Sequence, residues 1–384
     1  MKTSSADLID RIRHKLVEGV ASTDAGTIAE LIREETQGLV SDREMLSLLQ
    51  YADAEVRGAG PLDALLRNEE VTDVLVNGPR DVWFDRGDGL VRADIDLGTA
   101  ESVLHLAQRL AARAGRRLDS ASPWVDATLP NGARLHAVMP PIARGCTVLS
   151  VRTLRREALT LNELVVRGSM PEDLKQLLVR MVRAKLSFLI SGGTGSGKTT
   201  LLSSLLGCVP AAERIVVIED ADELAPTHPH VVKLQSRPSN IEGAGEISLR
   251  ALVRQSLRMR PDRLVVGEVR GVEVADLLTA LNTGHRGGAG TIHANGIGDV
   301  PSRLCALGAL AGLSGDAIRL QARSAIQVLI HVDRTLAGTR FVDCIGLIAD
   351  SDTDFGVRTV WTASNGFTAN AAQLDELLRT GEGC

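Results

Sequence analysis

The segment "GGTGSGKT", from Gly192 to Thr199, has the residue types and the spacing that cradle phosphate groups. Its glycines allow consecutive backbone N–H groups to curl around phosphate oxygens, and the start of the following helix adds partial positive charge. We expect Lys198 to contact the β- and γ-phosphates and the Thr199 hydroxyl to ligate Mg²⁺. The predicted nucleotide-binding residues are Gly192, Gly193, Thr194, Gly195, Ser196, Gly197, Lys198, Thr199 and Thr200.

A glycine-rich turn that matches this pattern by chance is the alternative. It is disfavoured because a β-type apolar run precedes the segment and a helical pattern follows it. The sequence after the segment lacks the N-K-x-D pattern that reads guanine, which favours ATP as the nucleotide.

Acidic residues gather at the end of the apolar run in "RIVVIEDADEL", residues 214–224. Glu219, Asp220, Asp222 and Glu223 at the carboxyl end of a strand suit a metal–phosphate site. They equally suit the first turn of a solvated helix, whose dipole favours acids. We favour a functional role for Glu219 and Asp220.

A second acid follows the apolar run in "LVVGEVRG", residues 264–271. Phosphate-loop enzymes normally end such a strand with an aspartate that contacts the metal, and Gly267 stands in its place. Glu268 is therefore interpreted as the base that orients and deprotonates the attacking water. The acids at 219–220, Glu219 first among them, then supply the missing metal contact through water, and Glu219 is the next candidate for the base. The alternative is a structural salt bridge between Glu268 and Arg270.

Histidines occur in the glycine-rich stretch "TGHRGGAGTIHAN", residues 283–295. The spacing of His285 and His293 disfavours a metal pair. The structural alternative is two loop histidines that only form hydrogen bonds within the protein. We expect a flexible segment in which His293 senses the γ-phosphate. Arginines recur every four residues in the preceding helical pattern, which predicts either a solvated stripe or a contact with a neighbouring subunit's nucleotide; they are Arg250, Arg254 and Arg258.

Composition sets the class of protein. The 384 residues are 44% apolar and 24% charged, which is typical of a soluble globular protein. The net charge of −5 gives no global attraction to nucleic acid or anionic lipid. The five cysteines are scattered without zinc-binding spacing, which favours free thiols in a reducing cytoplasm. No signal peptide and no membrane-spanning run of about 18 apolar residues is apparent.

The elements that must position these residues fall into three regions. Residues 1–65 have a polar, leucine-spaced pattern that predicts a helical segment. Residues 66–153 combine short β-type runs, a hairpin signal at Gly87-Asp88-Gly89 and one helical stretch, which predicts a small α+β domain. Residues 154–384 alternate strands with helices, which predicts an α/β domain with a parallel sheet covered on both faces. Its first long helix is expected to begin with a capping box of Ser169 and Glu172.

Seven motifs together resemble the CpaF/TadA-type ATPases, which power assembly of tight-adherence pili and belong to the type II and type IV secretion motors. The resemblance covers about residues 58–345. It rests on "GAGPLDALL", "VTDVLVNGP", "GARLHAVMPP", "SGGTGSGKTT", "IEDADEL", "LRMRPDRLVVGEVRG" and "TGHRGGAGTIHAN".

The resemblance implies a RecA-like P-loop motor domain, a smaller N-terminal domain and a homo-hexameric ring at the inner face of the cytoplasmic membrane. ATP and Mg²⁺ are the expected ligands, and an inner-membrane platform protein is the expected partner. The acidic net charge and the few aromatic residues argue against direct nucleic acid contact. The resemblance also suggests that Arg134 and Arg152 reach the γ-phosphate. The alternatives are a ring ATPase acting on DNA and a nucleotide-gated scaffold with little turnover; Glu268 argues against the scaffold.

Overall fold

The computed structural model describes residues 58–382 except 88, 154–157, 238, 240–243, 336–337 and 352–353, together with 30, 32–34 and 45. The chain forms two compact units, Met1–Leu154 and Arg155–Cys384. Most of the predicted helical segment 1–65 lies outside the described residues. Among the helices that are described, none has the length and apolar character needed to cross a membrane.

In the part of the first unit that the structure describes, an antiparallel sheet packs with one long helix. Its strand order is β3-β2-β1-β6-β5-β4. The helices are α1 (Asp63–Leu66) and α2 (Ala100–Arg113), and the strands are β1 (Asp73–Gly78), β2 (Asp81–Asp85), β3 (Leu90–Arg92), β4 (Trp124–Thr128), β5 (Arg134–Val138) and β6 (Val148–Arg152). The predicted hairpin joins β2 to β3, and Gly87 and Gly89 in its turn have positive φ angles of 107° and 126°.

Alternation along these strands sends every second side chain into one core. Val74 and Val76 of β1, Leu135 of β5 and Val151 of β6 are buried together with the apolar stripe of α2. The residues between them face away from that core, because successive side chains of a strand point to opposite faces. Arg134 and Arg152 lie on this second face.

The second unit is a nine-stranded sheet of order β15-β14-β13-β12-β7-β11-β10-β8-β9. The six strands from β12 to β9 are parallel, and β13, β14 and β15 extend the sheet antiparallel. Those strands are β7 (Phe188–Gly192), β8 (Ile215–Glu219), β9 (Val231–Gln235), β10 (Arg263–Val266), β11 (Ala289–His293), β12 (Val328–Arg334), β13 (Arg340–Ser351), β14 (Asp354–Thr362) and β15 (Gly366–Phe367).

Helices pack on both faces of this sheet, as the alternating pattern predicted. They are α3 (Leu161–Val166), α4 (Glu172–Arg183), α5 (Lys198–Leu206), α6 (Leu249–Ser256), α7 (Glu273–Asn282), α8 (Val300–Leu310), α9 (Gly315–Ala325) and α10 (Ala371–Glu382). Ile190 packs in the core formed with α4 and α5, and its neighbour Leu189 packs in the core formed with α7, α8 and α9. Both faces of β7 are therefore buried, which explains its continuous apolar run.

The start of α4 differs from the prediction. The helix begins at Glu172, and its N-cap is the extended Pro171, without a capping side-chain hydrogen bond. Because Glu172 is the first helical residue rather than the third, the expected capping box with Ser169 is wrong. The preceding helix α3 has the box instead, between Thr160 and Glu163.

Parallel pairing brings the predicted motifs to one edge of the sheet. Gly192, at the end of β7, lies opposite His293 of β11 and Val332 of β12. Glu219 ends β8, and Gly267 follows β10 with its N–H donating to the carbonyl of Ile218. The carboxyl ends of neighbouring parallel strands thus bring together candidate functional residues from segments that are far apart in the chain.

His331 is a buried polar residue beneath this edge. It lies on β12 with Nδ1 2.9 Å from the Ser191 hydroxyl of β7, the residue before the phosphate-binding segment. Burial lowers the pKa of His331; the charges of Asp343, Asp333 and Asp299 oppose this, and that of Lys198 adds to it. His331 is therefore favoured in its neutral form, in hydrogen-bond contact with a Ser191 hydroxyl that also lies 3.4 Å from the carbonyl oxygen of Ile330.

We predict that His331 makes the protein less stable in acid. Its pKa in the fold lies below the usual 6.5, so the unfolded chain takes up the proton first, and stability present above about pH 6.5 is lost as the pH falls. Urea unfolding of the wild type and of His331→Asn between about pH 5.5 and 8 tests this, since the other titrating groups cancel in the comparison. The wild type should lose more stability at the acidic end. Parallel pH profiles for the two proteins would contradict the prediction.

Candidate active site

The predicted phosphate-binding segment forms a tight loop between β7 and α5. A Cβ on Gly192 would lie 2.3 Å from the carbonyl oxygen of Val332, so only glycine fits there. Gly195 and Gly197 have positive φ angles of 70° and 97°, which glycine adopts without strain. On the opposite, exposed side of the loop, a Cβ on Gly193 or Gly195 would meet nothing within 4 Å. The loop is thus packed from behind and open in front, which fits a phosphate ligand.

Lys198 is held inside this loop. Its side chain is buried, and Nζ donates to the carbonyl oxygens of Gly192 at 3.0 Å and Gly193 at 2.7 Å. Burial lowers the pKa of Lys198, while the charges of Glu268 and Glu223 act in the opposite direction. The ammonium group is thus retained in the loop by weak carbonyl partners that a phosphate can replace.

His293 connects this lysine to Glu268. Its Nδ1 lies 3.5 Å from Lys198 Nζ, and its Nε2 lies 3.1 Å from Glu268 Oε1. The ammonium group has only donors, so Nδ1 accepts and the Nε2–H donates to the carboxylate. Burial lowers the pKa of His293, and the charge of Lys198 lowers it further against the opposite effect of Glu268, which favours the neutral ring. We refer to these three residues as the Lys198–His293–Glu268 chain.

Glu219 occupies the space of the missing aspartate. A Cβ on Gly267 would lie only 2.6 Å from Glu219 Cγ, so a side chain at position 267 and the observed Glu219 exclude each other. Glu219 is 5% exposed, and its Oε1 accepts the backbone N–H groups of Leu224 at 2.9 Å and Glu223 at 3.2 Å. Burial raises the pKa of Glu219 to about 7, against the effect of these hydrogen bonds. The glycine in "LVVGE" is therefore required by packing.

Asp220 and Asp222 of the same segment bind neighbouring side chains. Arg270 donates to one oxygen of Asp220, and the Ser236 hydroxyl donates to the other at 2.6 Å. Lys233 donates to Asp222 at 2.7 Å. Among the ion pairs of the described residues, Arg270 thus pairs with Asp220 while Glu268 pairs with His293, so the alternative of a Glu268–Arg270 salt bridge is wrong.

The glycine-rich stretch before His293 is packed rather than flexible. Residues 287–290 are buried; a Cβ on Gly287 would lie 2.1 Å from Arg263 Nη1, and one on Gly288 would lie 2.3 Å from Leu281 Cδ2. His285 binds the carbonyl oxygen of Ala280 through Nδ1 at 3.2 Å, as a satisfied loop histidine. The expectation of a flexible segment is therefore wrong for residues 287–290, where the glycines permit close contact.

Two positioning residues were missed by the sequence interpretation. Glu273, at the start of α7, accepts the backbone N–H groups of Arg270 at 2.8 Å and Gly271 at 2.7 Å. The Thr291 hydroxyl of β11 donates to the carbonyl oxygen of Gly267 at 2.6 Å. Both contacts fix the turn that carries Glu268. For Glu273, the sequence offered one signal, which was an acid in the first turn of a helix.

Three of the predicted arginines, Arg152, Arg250 and Arg254, have acidic partners within their own units. Arg134 and Arg152 lie directly opposite each other on β5 and β6, and Arg152 Nε donates to Asp73 Oδ1 at 3.1 Å. In the second unit, Arg250 and Arg254 donate to the two oxygens of Asp276 on α7; the distances are 2.7 and 2.6 Å. Two members of the arginine stripe are thus held by an acid of the same chain.

Comparisons with known proteins agree with this arrangement. The family described as "Type II/IV secretion system protein" matches residues 55–352. A putative conjugal transfer protein of Mycobacterium tuberculosis is 51% identical over 348 residues, which cover 89% of this chain and 99% of that protein. The type IV secretion system protein PtlH of Bordetella pertussis is 34% identical over 252 residues, 60% of this chain and 74% of that protein.

Solved structures support the fold. The pilus retraction motor PilT with bound ADP has a TM-score of 0.53 at 20% identity, covering 74% of this chain and 80% of that one. The Legionella pneumophila ATPase DotB has a TM-score of 0.52 at 17% identity, covering 74% and 79%. These likenesses confirm the predicted α/β fold, a RecA-like unit with a smaller N-terminal unit. With the family match over residues 55–352, they lead to one conclusion: the chain belongs to the Type II/IV secretion system protein family.

Proposed function

We propose that this chain is an ATPase motor that powers assembly of a tight-adherence pilus or a related secretion machine. The observation that carries the proposal is the Lys198–His293–Glu268 chain, which links a lysine in a phosphate-binding loop to a partly exposed carboxylate. Membership of the secretion family and the seven motifs support the same reading. The finer assignment to the CpaF/TadA type rests on the motifs alone.

The loop is proposed to bind the phosphates of ATP along its open side. Residues 193–195 are exposed there, and Lys198 can exchange its carbonyl partners for β- and γ-phosphate oxygens. Such a charge-assisted contact is stronger than the hydrogen bonds it replaces. The remaining proposed nucleotide-binding residues, through Thr200, complete the cradle at the start of α5.

Mg²⁺ would neutralise charge on the phosphates, and Thr199 and Glu219 are the proposed residues to hold it. The described residues contain no group of three or more His, Cys, Asp and Glu side chains that could hold a metal ion by itself. This fits an ion held largely by phosphate oxygens. Because Oε1 of Glu219 already accepts two backbone N–H groups, its other oxygen is the one available for a water-mediated contact.

Glu268 is proposed to take the proton from the attacking water. Its side chain is 36% exposed, so water can reach it, and the Nε2–H of His293 holds Oε1 in place. His293 is proposed to sense the γ-phosphate through Nδ1, which loses its donor when Lys198 turns to the nucleotide. In this scheme, one histidine couples nucleotide binding to the orientation of the base.

The proposed assembly is a homo-hexamer at the inner face of the cytoplasmic membrane, attached through an inner-membrane platform protein without direct contact to nucleic acid. The name of the Mycobacterium tuberculosis relative, a putative conjugal transfer protein, favours a ring ATPase acting on DNA as the second candidate. ATP turnover with and without DNA, at low and high salt, separates the two. DNA-stimulated, salt-sensitive turnover would support the second candidate.

Lys198→Ala should weaken nucleotide binding and stop turnover. The variant loses a charge-assisted phosphate contact worth roughly 1.5–3 kcal/mol. Titration calorimetry with ADP and a phosphate-release assay measure both effects. Lys175→Ala is the matched control, because Lys175 forms its ion pair with Glu172 on α4 and should behave as the wild type. ATPase activity near that of the wild type in Lys198→Ala would overturn the motor proposal.

Glu268→Gln should lower kcat while ATP affinity changes little. The amide can still accept the His293 Nε2–H, but it cannot take a proton, and losing general-base help costs about 10²–10⁴-fold in rate. Single-turnover hydrolysis and ATP-analogue binding test this, with Glu219→Gln measured alongside. Normal hydrolysis by Glu268→Gln combined with loss in Glu219→Gln would assign the base to Glu219.

Arg134→Ala and Arg152→Ala should lower turnover and the affinity for a non-hydrolysable ATP analogue, with ADP affinity almost unchanged. An arginine at the γ-phosphate gives ATP a contact that ADP lacks, and only such a difference can bias a conformational equilibrium. Arg80→Ala is the control, since that exposed residue of the same unit pairs with Asp96. Equal losses for both ligands, or none, would leave Arg134 and Arg152 as surface arginines.

A further inference from the structure

The connection from β12 to β13 lies at the same sheet edge as the phosphate-binding loop. β12 runs parallel to β7, with Val332 opposite Gly192, and continues two residues further to Arg334. β13 begins at Arg340, which pairs with Arg334 across the hairpin. Arg334 and Arg340 therefore lie beyond the end of β7, where the phosphate-binding loop leaves the sheet.

Arg340 contacts the loop at two points. Its Nε donates to the carbonyl oxygen of Gly195 at 2.8 Å. Its aliphatic part lies against Gly197, where a Cβ would be 3.2 Å from Arg340 Cδ. The contact joins residues 145 positions apart in the chain, and it lies within the second compact unit.

The hydrogen bond fixes the direction of one peptide group in the loop. In a planar trans peptide, the C=O and the N–H point in opposite directions. Holding the Gly195 carbonyl toward Arg340 therefore turns the Ser196 N–H to the other side. Gly195 and Gly197 would otherwise allow this peptide many orientations, because glycine has more accessible conformations than any other residue.

We propose that Arg340 is a positioning residue that keeps the loop in its phosphate-binding conformation through the Gly195 carbonyl. It orders the loop backbone before the nucleotide binds, so less conformational entropy is lost on binding. The inference rests on the proposed binding of ATP to this loop. It assigns to the β12–β13 hairpin a task that no motif in the sequence indicates.

The proposal has a defined signature. A residue that shapes the loop affects every nucleotide with a β-phosphate, so ADP and an ATP analogue should lose affinity equally. KM for ATP should rise, while kcat should stay within about twofold because Glu268 and His293 are untouched. A contact with the γ-phosphate would instead weaken the ATP analogue alone.

Three variants separate the hydrogen bond from the charge. Arg340→Met keeps an aliphatic chain but removes the donor and the charge. Arg340→Gln keeps an N–H donor at the position of Nε and removes the charge together with the two Nη groups. Arg334→Met is the matched control, because the Arg334 Nε donates to Gly338 within the hairpin at 3.2 Å.

Titration calorimetry of the full chain with ADP and with a non-hydrolysable ATP analogue, together with steady-state kinetics, provides the test. Arg340→Met should bind both ligands about tenfold more weakly, which corresponds to about 1.4 kcal/mol. Arg340→Gln should remain within about threefold of the wild type, and Arg334→Met should match it. All four proteins should unfold cooperatively without nucleotide, which excludes failure to fold as the cause of any loss of affinity.

Other results would overturn the proposal. Arg340→Gln as weak as Arg340→Met would mean that the charge or the Nη groups, and not the Nε hydrogen bond to Gly195, support nucleotide binding. Unchanged affinity in Arg340→Met would show that the loop holds its conformation without the hydrogen bond. A wild type that binds neither nucleotide would overturn the proposed function itself, and that outcome is distinguishable because it appears before any substitution is made.

Discussion

The arrangement of the candidate site depends on the hydrogen-bonding needs of one buried ammonium group. Lys198 is 8% exposed and must find acceptors where it lies, because a buried charge without partners is costly. It takes two carbonyl oxygens of its own loop and the Nδ1 of His293. The last contact decides the histidine tautomer, and the tautomer directs an N–H at Glu268. A lysine in one motif thus orients an acid in another.

A second constraint is steric and explains where the acids stand. Two neighbouring parallel strands, β8 and β10, reach the same edge, and the space between their ends admits one side chain. Glu219 fills it from β8, and Gly267 leaves it free on β10. Phosphate-loop enzymes usually carry this acid at the end of the strand that corresponds to β10. Here the acid lies at the end of the neighbouring strand, β8. Its burial favours the neutral form, so a nearby cation would be needed to keep it charged at neutral pH.

The sequence predicted those features that depend on local pattern. Continuous apolar runs gave β7 and β8 correctly, and the glycine, lysine and threonine spacing located the loop because its geometry needs those residues in that order. Features set by contacts between distant segments were not predictable. Gly287 and Gly288 look the same in sequence whether they serve flexibility or close packing, and only Arg263 and Leu281, brought near by the fold, decide between the two. The roles of His331 and Arg340 were hidden for the same reason.

The proposed mechanism requires a protein group that responds differently to bound ATP and bound ADP. Either nucleotide can draw Lys198 from its carbonyl partners, and this removes the donor to His293 Nδ1 together with a positive charge that lowers the pKa of His293. The ring then takes up a proton more readily, and a protonated Nδ1 becomes a donor. A γ-phosphate can accept that hydrogen bond, whereas ADP has no group in the same position. On this argument, His293 is where the difference between the two nucleotides reaches Glu268, because its other nitrogen holds that carboxylate.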